Sequence, residues 1–484
     1  MTENNNDKSL GLMTSGIDWW VVLIYAALVI FGWVNIYAAV YNDDHRSIFD
    51  ITQRYGMQLV WIAISFFAAI SILLIEDKYY HILAYPFYFV GLATMVGVLI
   101  FGTEVNGAKA WIDIGRVRIQ PVEFMKIVTA LALAKFMSSY SFNIKSMRGL
   151  YYIGLIIITP ILLILVQNDT GSALVFAAFI IMLYREGFGK ILYVLIMLMA
   201  VLFLASFLVE PLPTLVTVLL SCLIIQAFVN KEWQYSLRYL ALLTMMTILV
   251  SLILPVDDLN SSIYYSLLIA FVLSIPVVAR YTFRSRLDNI WTFVAIFTGA
   301  VMFTFVTDYF FDNILQTHHQ KRILDLLGIE NDPQGWSYNV NQSKIAIGSG
   351  GWSGKGFLEG TQTRFSFVPE QSTDFIFCTV GEEWGFIGSA LVVALFVILI
   401  IRLFRMGERQ KEPFARVYCY SVASVIFMHF AINIAMTVGL FPVVGIPLPF
   451  LSYGGSSLLA FTILLFIAVR LDSSQPRESG RKLL

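Results

Sequence analysis

The sequence predicts an all-α fold: a polytopic transmembrane helix bundle of about 14 spans with one long extracytoplasmic loop. Three observations predict it. Of the 484 residues, 58% are hydrophobic and only 13% charged, with a mean hydropathy of +0.76. Soluble domains carry about 25% charged residues, so a water-soluble protein, a disordered chain and a nucleic-acid binder are excluded. The apolar residues form continuous runs, not the alternation of a barrel strand, which selects helices. Lys and Arg concentrate in alternate connections, as membrane helices of fixed orientation require, except in the outer loop segments 41–53, 103–120 and 312–373.

Runs near the roughly 20 residues needed to cross the hydrocarbon core begin near Trp19, Gln53, His81, Pro121, Gly149, Thr170 and Ile191. The series continues near Leu212, Ser236, Ser262, Ile290, Phe375, Phe414 and Ser456. The polar start, MTENNNDKSL, lacks a cationic region before an apolar stretch and is expected to be a cytosolic tail. Inner connections then hold Lys78, Lys145, Arg148, Arg185, Lys190, Lys231, Arg238, Arg280, Arg284 and Arg286, and later Arg402, Arg405, Arg409 and Lys411. The short outer connections 167–169, 210–213, 256–261 and 441–455 contain neither Lys nor Arg. An even number of spans with both termini cytoplasmic follows. The net charge of zero argues for no polyionic partner. Cys222, Cys378 and Cys419 all fall in apolar runs, against a disulfide framework or zinc site.

Segment 312–373 is the one large extramembrane piece. Its aromatic residues and its glycines from Gly348 to Gly360 argue for tight turns instead of a flexible linker. Ile345-Ala-Ile-Gly fits an amphipathic or re-entrant helix at the interface. Acids in or beside it include Asp325, Glu330, Asp332, Glu359, Glu370 and Asp374. Any one is ordinarily a solvated loop acid, whereas one tuned by burial and nearby cations would serve as a general base. A second constellation runs from Asn106 through Lys109, Trp111, Arg116 and Arg118 to Gln120-Pro-Val-Glu-Phe-Met-Lys126. Pro121 marks a helix start, and Glu123 and Lys126 share one helical face where they can pair. Such intramembrane charges serve either function or a structural ion pair. Asp169 lies in a connection too short for full solvation.

These segments together resemble the SEDS (shape, elongation, division and sporulation) family of membrane glycosyltransferases, its RodA branch more than its FtsW branch. The carriers are NGAKAWI, QPVEFMK, QNDTGS, DPQGWSYNVNQSKIAIGSGGWSGKGFLEGTQ, FVPEQSTDFIFCTVGEEWG and GIPLPFLSYGGSS, in family order over roughly 15–210 and 290–471. Three features depart from the pattern. Lys109-Ala110 replaces an Arg-Arg pair, so Arg116 or Arg118 would have to supply the lost cation. Asn168 and Thr170 replace a proline and a leucine beside the retained Asp169. About four spans exceed the family's ten-helix core.

The resemblance implies a cytoplasmic tail at 1–18, a core at 19–211, inserted helices at 212–289, and a core helix at 290–311. A catalytic outer loop at 312–373, three last core helices at 374–471 and a cytoplasmic tail at 472–484 complete it. It implies polymerisation of lipid II into peptidoglycan strands during cell elongation, with inversion and release of undecaprenyl pyrophosphate. Asp332 is the implied catalytic base, or a metal ligand; Pro333 and Gly335 would hold it on a bend, with Lys321, Arg322, Lys344 and Lys355 nearby. Implied substrate contacts are Lys109, Trp111, Arg116, Arg118, Glu123, Lys126, Asp169, Lys321, Arg322, Gln342, Lys344, Ser349, Gly350, Lys355, Gln362, Glu370 and Ser456. A divalent cation, Mg or Mn, is expected to absorb leaving-group charge, with no organic cofactor. Expected partners are lipid II, a class B penicillin-binding protein transpeptidase, elongation-complex membrane proteins and membrane lipids. A lipid II flippase, an FtsW-like division polymerase and a non-catalytic scaffold are the alternative readings.

Overall fold

The computed structural model describes residues 16–41, 47–105, 107–115, 117–139, 142–143, 146–230, 233–254, 259–285, 290–313, 317–329, 332, 335 and 337–474. Contacts divide the chain into two compact units, Met1–Gly189 with Asn331–Leu484, and Lys190–Glu330.

The first unit opens with α1 (Trp19–Val40), α2 (Arg54–Leu74) and α3 (Asp77–Phe101). Three short strands follow, β1 (Thr103–Val105), β2 (Ala108–Ile114) and β3 (Val117–Ile119), joined as one antiparallel sheet. This sheet adds to the all-α expectation, under which 103–120 is only a loop. Alternation along β2 places Lys109, Trp111 and Asp113 on one face, and Gly107 turns the first hairpin at φ 84°. Then come α4 (Pro121–Met137), α5 (Met147–Val166), α6 (Thr170–Val175) and α7 (Ala178–Arg185). Pro121 occupies the first helical position of α4, where its missing N–H costs nothing.

The later part of this unit contains α14 (Tyr338–Ser349), α15 (Thr361–Arg364), α16 (Ile376–Arg409), α17 (Pro413–Thr437) and α18 (Gly455–Ser473). Both α14 and α15 lie inside the predicted outer loop, as does α13 of the second unit (Thr317–Leu326). The core is centred where α17 packs on α4, α7 and α16, while α18 packs on α2. Ion pairs tie one end of the bundle together: Arg402 and Arg409 hold Asp18, Arg409 holds Asp472, and Arg416 holds Glu186. At the other end Arg54 reaches Ser372, and Ser343 donates to the Thr437 carbonyl.

The second unit comprises α8 (Lys190–Leu208), α9 (Pro211–Asn230), α10 (Trp233–Ser251), α11 (Leu259–Ser285), α12 (Ile290–Asn313) and α13 (Thr317–Leu326). Its core is small and apolar: Leu219, Leu223, Leu243, Leu267, Ala270, Phe271 and Phe297. This unit is wider than the 212–289 insertion read from the sequence. Phe297 of α12 meets Phe271 of α11 at 4.5 Å, and Phe311 meets Phe207 of α8 at 4.6 Å, so both flanking helices belong to it.

Among the described residues, nine helices are long and apolar enough to cross a membrane: α1, α2, α3, α5, α9, α11, α16, α17 and α18. The remaining sequence runs also fold as helices, with shorter or more polar described stretches.

Candidate active site

The predicted Glu123–Lys126 pair forms, and it is buried. Lys126 Nζ lies 2.9 Å from both carboxylate oxygens of Glu123, with 2% and 3% of the two side chains exposed. The lysine also donates to His429 Nε2 at 2.8 Å and faces the Phe461 ring at 5.0 Å. His429 must therefore carry its proton on Nδ1, which points at the Pro447 carbonyl 3.3 Å away. Ser457 Oγ approaches Glu123 at 3.5 Å. One helical turn of α4 supplies both charges, and α17 and α18 enclose them. Isolated, either charge would be very costly there.

A line of acids continues from this pair. Gln120 Nε2 donates to Asp169 at 2.9 Å, while the other Asp169 oxygen caps α6 by accepting Ser172 N–H at 2.9 Å. Gln120 N–H also reaches Ser456 Oγ at 3.4 Å. Glu370 pairs with Arg54 at 3.4 Å and accepts Thr373 Oγ1 at 3.0 Å. Asp374 stands among them, its backbone carbonyl held by Asn433 Nδ2 at 2.8 Å. Burial, followed by the charges of Glu370 and Asp169, pushes its carboxyl up to about 7.

The segment 350–363 is anchored on a break in α16. At Gly385 the helix leaves helical geometry, with φ 63° and ψ −158°. A continuous helix would bond Phe386 and Ile387 N–H to the Glu382 and Glu383 carbonyls. Here the loop intervenes: Phe386 N–H donates to Gly351 O and Ile387 N–H to Trp352 O, at 2.9 and 3.1 Å. Lys355 and Gly356 N–H in turn satisfy the Glu382 and Glu383 carbonyls, at 3.0 and 3.1 Å. Gly354 is required by this approach, because a Cβ there would lie 2.0 Å from Glu383 O. The Glu382 carboxylate completes the anchor. It is fully buried and accepts Lys355 Nζ at 2.6 Å, Gln362 N–H at 2.9 Å and Thr363 N–H at 2.8 Å.

Asp332 sits on the expected bend. Its Oδ1 accepts Gly335 N–H at 3.0 Å, and its carbonyl accepts both Gly335 and Ser337 N–H at 3.2 Å. A Cβ on Gly335 would meet Oδ2 at 2.1 Å, so glycine leaves the carboxylate room for this orientation. The carboxylate is exposed.

The other sequence candidates divide into several groups. Lys355, Gln362, Ser349 and Gly350 build the loop anchor: Ser349 Oγ lies 3.5 Å from Glu382, and Gly350 backs onto the Gly381 backbone. Lys344 is exposed and lies across Gly439 at the end of α17, and Gln342 is half-buried on α14. Lys109 donates to the Ile100 carbonyl at 3.3 Å, and Trp111 lies beside it on β2. Arg118 pairs with Asp113 at 3.2 Å. Lys321 and Arg322 lie on α13 of the second unit, and Arg116, Glu330 and Pro333 lie outside the described residues. Sequence reasoning did not single out Glu382 or His429. A pair of glutamates inside an apolar helix was the available signal for the first; nothing local marks the second.

The expected divalent cation meets a sparse donor set. Among the described residues no group of three or more His, Cys, Asp and Glu side chains could hold a metal. Asp332 offers one carboxylate whose Oδ2 is not engaged by the turn. That fits the Mg²⁺ habit of using one or two carboxylates together with substrate phosphates and water.

Fold and site together define a multi-pass membrane protein with a charged cluster buried in its bundle and a carboxylate-bearing loop anchored at one end. The family model for FtsW, RodA and SpoVE, described as cell cycle protein, matches residues 18–212 and 209–476, and the chain belongs to that family. The peptidoglycan glycosyltransferase RodA of Treponema pallidum is 28% identical over 95% of this chain and 98% of its own length. The peptidoglycan glycosyltransferase MrdB of Escherichia coli K12 is 27% identical over 95% and 94%. A chain solved in work on coordination of polymerization and crosslinking by a peptidoglycan synthase complex superimposes with TM-score 0.59, at 22% identity, over 95% of this chain and 99% of that one. The crystal structure of Thermus thermophilus RodA gives TM-score 0.53 at 20% identity, over 95% and 98%.

Proposed function

We propose that this chain is a peptidoglycan glycosyltransferase of the bacterial cytoplasmic membrane, polymerising lipid II during cell elongation. Support comes first from the curated relatives, which match nearly end to end and carry that activity in their names. The observation that carries the chemistry is Asp332, an exposed carboxylate fixed on a turn instead of swinging in solvent. In the proposed reaction the acceptor sugar hydroxyl attacks the donor anomeric carbon, Asp332 takes the hydroxyl proton, and undecaprenyl pyrophosphate departs with the bonding electrons. One displacement inverts the anomeric centre. Lys344 is an exposed cation suited to the developing negative charge. A bound Mg²⁺ or Mn²⁺ would supply further charge neutralisation, held by Asp332 and pyrophosphate oxygens. The buried Glu123–Lys126–His429 cluster and Asp169 shape the substrate side of the bundle in this reading.

The proposed topology has about fourteen spans, both termini cytoplasmic, and 312–373 outside. The clustering of Arg402, Arg409 and Arg416 at the end that holds Asp18 and Asp472 supports it. A class B penicillin-binding protein is the proposed partner, since a polymerase of uncrosslinked strands requires a transpeptidase. The test is glycan-strand formation from lipid II by the purified full chain. Asp332→Asn keeps the shape of the turn and should lower the rate at least the roughly 10²–10⁴-fold typical of a general base. Near-normal polymerisation by the variant would remove Asp332 from the mechanism; no polymerisation by the unaltered chain, with or without the transpeptidase, would remove the activity itself.

A further inference from the structure

The second unit carries a cavity that the polymerase reading does not use. It has a volume of about 210 Å³ and lies between α9, α10, α11 and α12. Leu219 and Leu223 of α9, Phe271 of α11 and Phe297 of α12 make its apolar wall, and Gln226 and Arg238 lie at its polar end. These residues recur at helical spacing, so matched faces of neighbouring helices line it. Pro276 interrupts α11 beside the cavity, where it removes an intrahelical hydrogen bond and the close packing of a straight helix.

The polar end is chemically specific. Arg238 is exposed, and among the described residues its only contact is the Tyr235 ring, 5.9 Å from the centroid. The half-buried amide of Gln226 has no hydrogen bond among the described residues. Depth is also marked. Phe228 and Trp233, edge to face at 4.8 Å, sit at this end of α9 and α10 with 66% and 47% exposure. An exposed Trp at a helix end marks the membrane–water interface. Arg238 lies five residues from Trp233, about 8 Å along the helix, from where its long side chain can reach back to headgroup depth. Leu219 lies about 10 Å deeper than Gln226 by the same rise.

We propose that this cavity binds an anionic phospholipid, with the phosphodiester on Arg238 and Gln226 and one acyl chain running toward Leu219 and Phe297. Arg238 is the one cation among the residues that line the cavity, which matches the single charge of a phosphodiester. A polyprenyl pyrophosphate, with more charge, would need further cations. The proposal is independent of the polymerase reading, because every residue it uses lies in Lys190–Glu330.

The test is native mass spectrometry of the delipidated full chain titrated with phosphatidylglycerol, phosphatidylcholine or undecaprenyl phosphate. Phosphatidylglycerol should bind about tenfold more tightly than phosphatidylcholine, a difference of about 1.4 kcal/mol. Arg238→Ala should erase that preference, Arg238→Lys should keep part of it, and Leu219→Trp should weaken both phospholipids. Arg238 faces the surface, so its variants decide the matter even if Leu219→Trp fails to fold. Equal binding of the two phospholipids, or a preference that survives Arg238→Ala, would overturn the site. Tighter binding of undecaprenyl phosphate would overturn the assigned occupant.

Discussion

The two units bury different kinds of polar group. The first hides charges: Glu123, Lys126, Glu382 and Asp472 are all at least 96% buried, and each is held by a partner. Among the described residues of the second unit, the buried polar side chains are hydroxyls: Thr214, Ser236, Ser262, Ser266, Ser274, Thr304 and Thr307. Several bond back to their own helix, as Thr307 does to Phe303 O at 2.8 Å. Hydroxyls tolerate hydrocarbon because the helix itself satisfies them, whereas a carboxylate or ammonium does so only with a dedicated counterpart. The difference matches the proposed division of labour, with chemistry in the first unit and packing and lipid contact in the second.

The sharpest way to break that comparison is to unbalance a buried pair. Glu123→Gln leaves Lys126 without its countercharge and should destabilise the protein by about 3–5 kcal/mol, read as a lowered unfolding temperature in detergent. A loss near zero would mean that water already screens the pair. Glu382→Gln comes next. Losing the charged acceptor of Lys355, Gln362 N–H and Thr363 N–H should cost about 2–3 kcal/mol. Limited proteolysis should then cut 350–363 faster than 338–349; unchanged cleavage would show that the backbone exchange alone anchors the loop.

Asp374 gives a smaller effect with a definite sign. Its folded pKa of about 7 lies above the roughly 3.9 of an unfolded aspartate, so the folded state keeps a proton that the unfolded chain loses. Stability is therefore full below about pH 4 and falls as pH rises through about 7. Asp374→Asn should flatten that slope and be the more stable form at pH 8; parallel curves for the two proteins would contradict the shift. The smallest effect is expected in the second unit. Ser274 Oγ bonds Tyr239 Oη at 2.9 Å, and Ser274→Ala should cost about 0.6 kcal/mol, typical of hydrogen bonds between membrane helices. A loss as large as that of Glu123→Gln would erase the distinction between the units.

What the sequence revealed followed the range of the interactions. The start of α4 at Pro121, the Glu123–Lys126 pair and the Asp332–Gly335 bend were all legible, since each is settled within about four residues. The hairpin at Gly107 was also local, but its short strands were hidden between long apolar runs. Lys355 with Glu382, and Lys126 with His429, join residues far apart in the chain, so only the fold brings them together. The width of the second unit was hidden for the same reason: Phe271 and Phe297 carry no local sign of meeting.

The exchange of hydrogen bonds at the Gly385 break has a consequence for how this protein can diverge. Loop and helix share one register, because two helix donors and two helix acceptors are matched to four consecutive-pair positions between Gly351 and Gly356. Inserting a single residue into 351–356 would misalign those bonds and expose the break. An insertion at 365–367, where Phe365 and Phe367 face outward, would disturb none of them. Length variation among related chains is thus expected on the far side of α15, with the segment that clasps α16 kept at constant length.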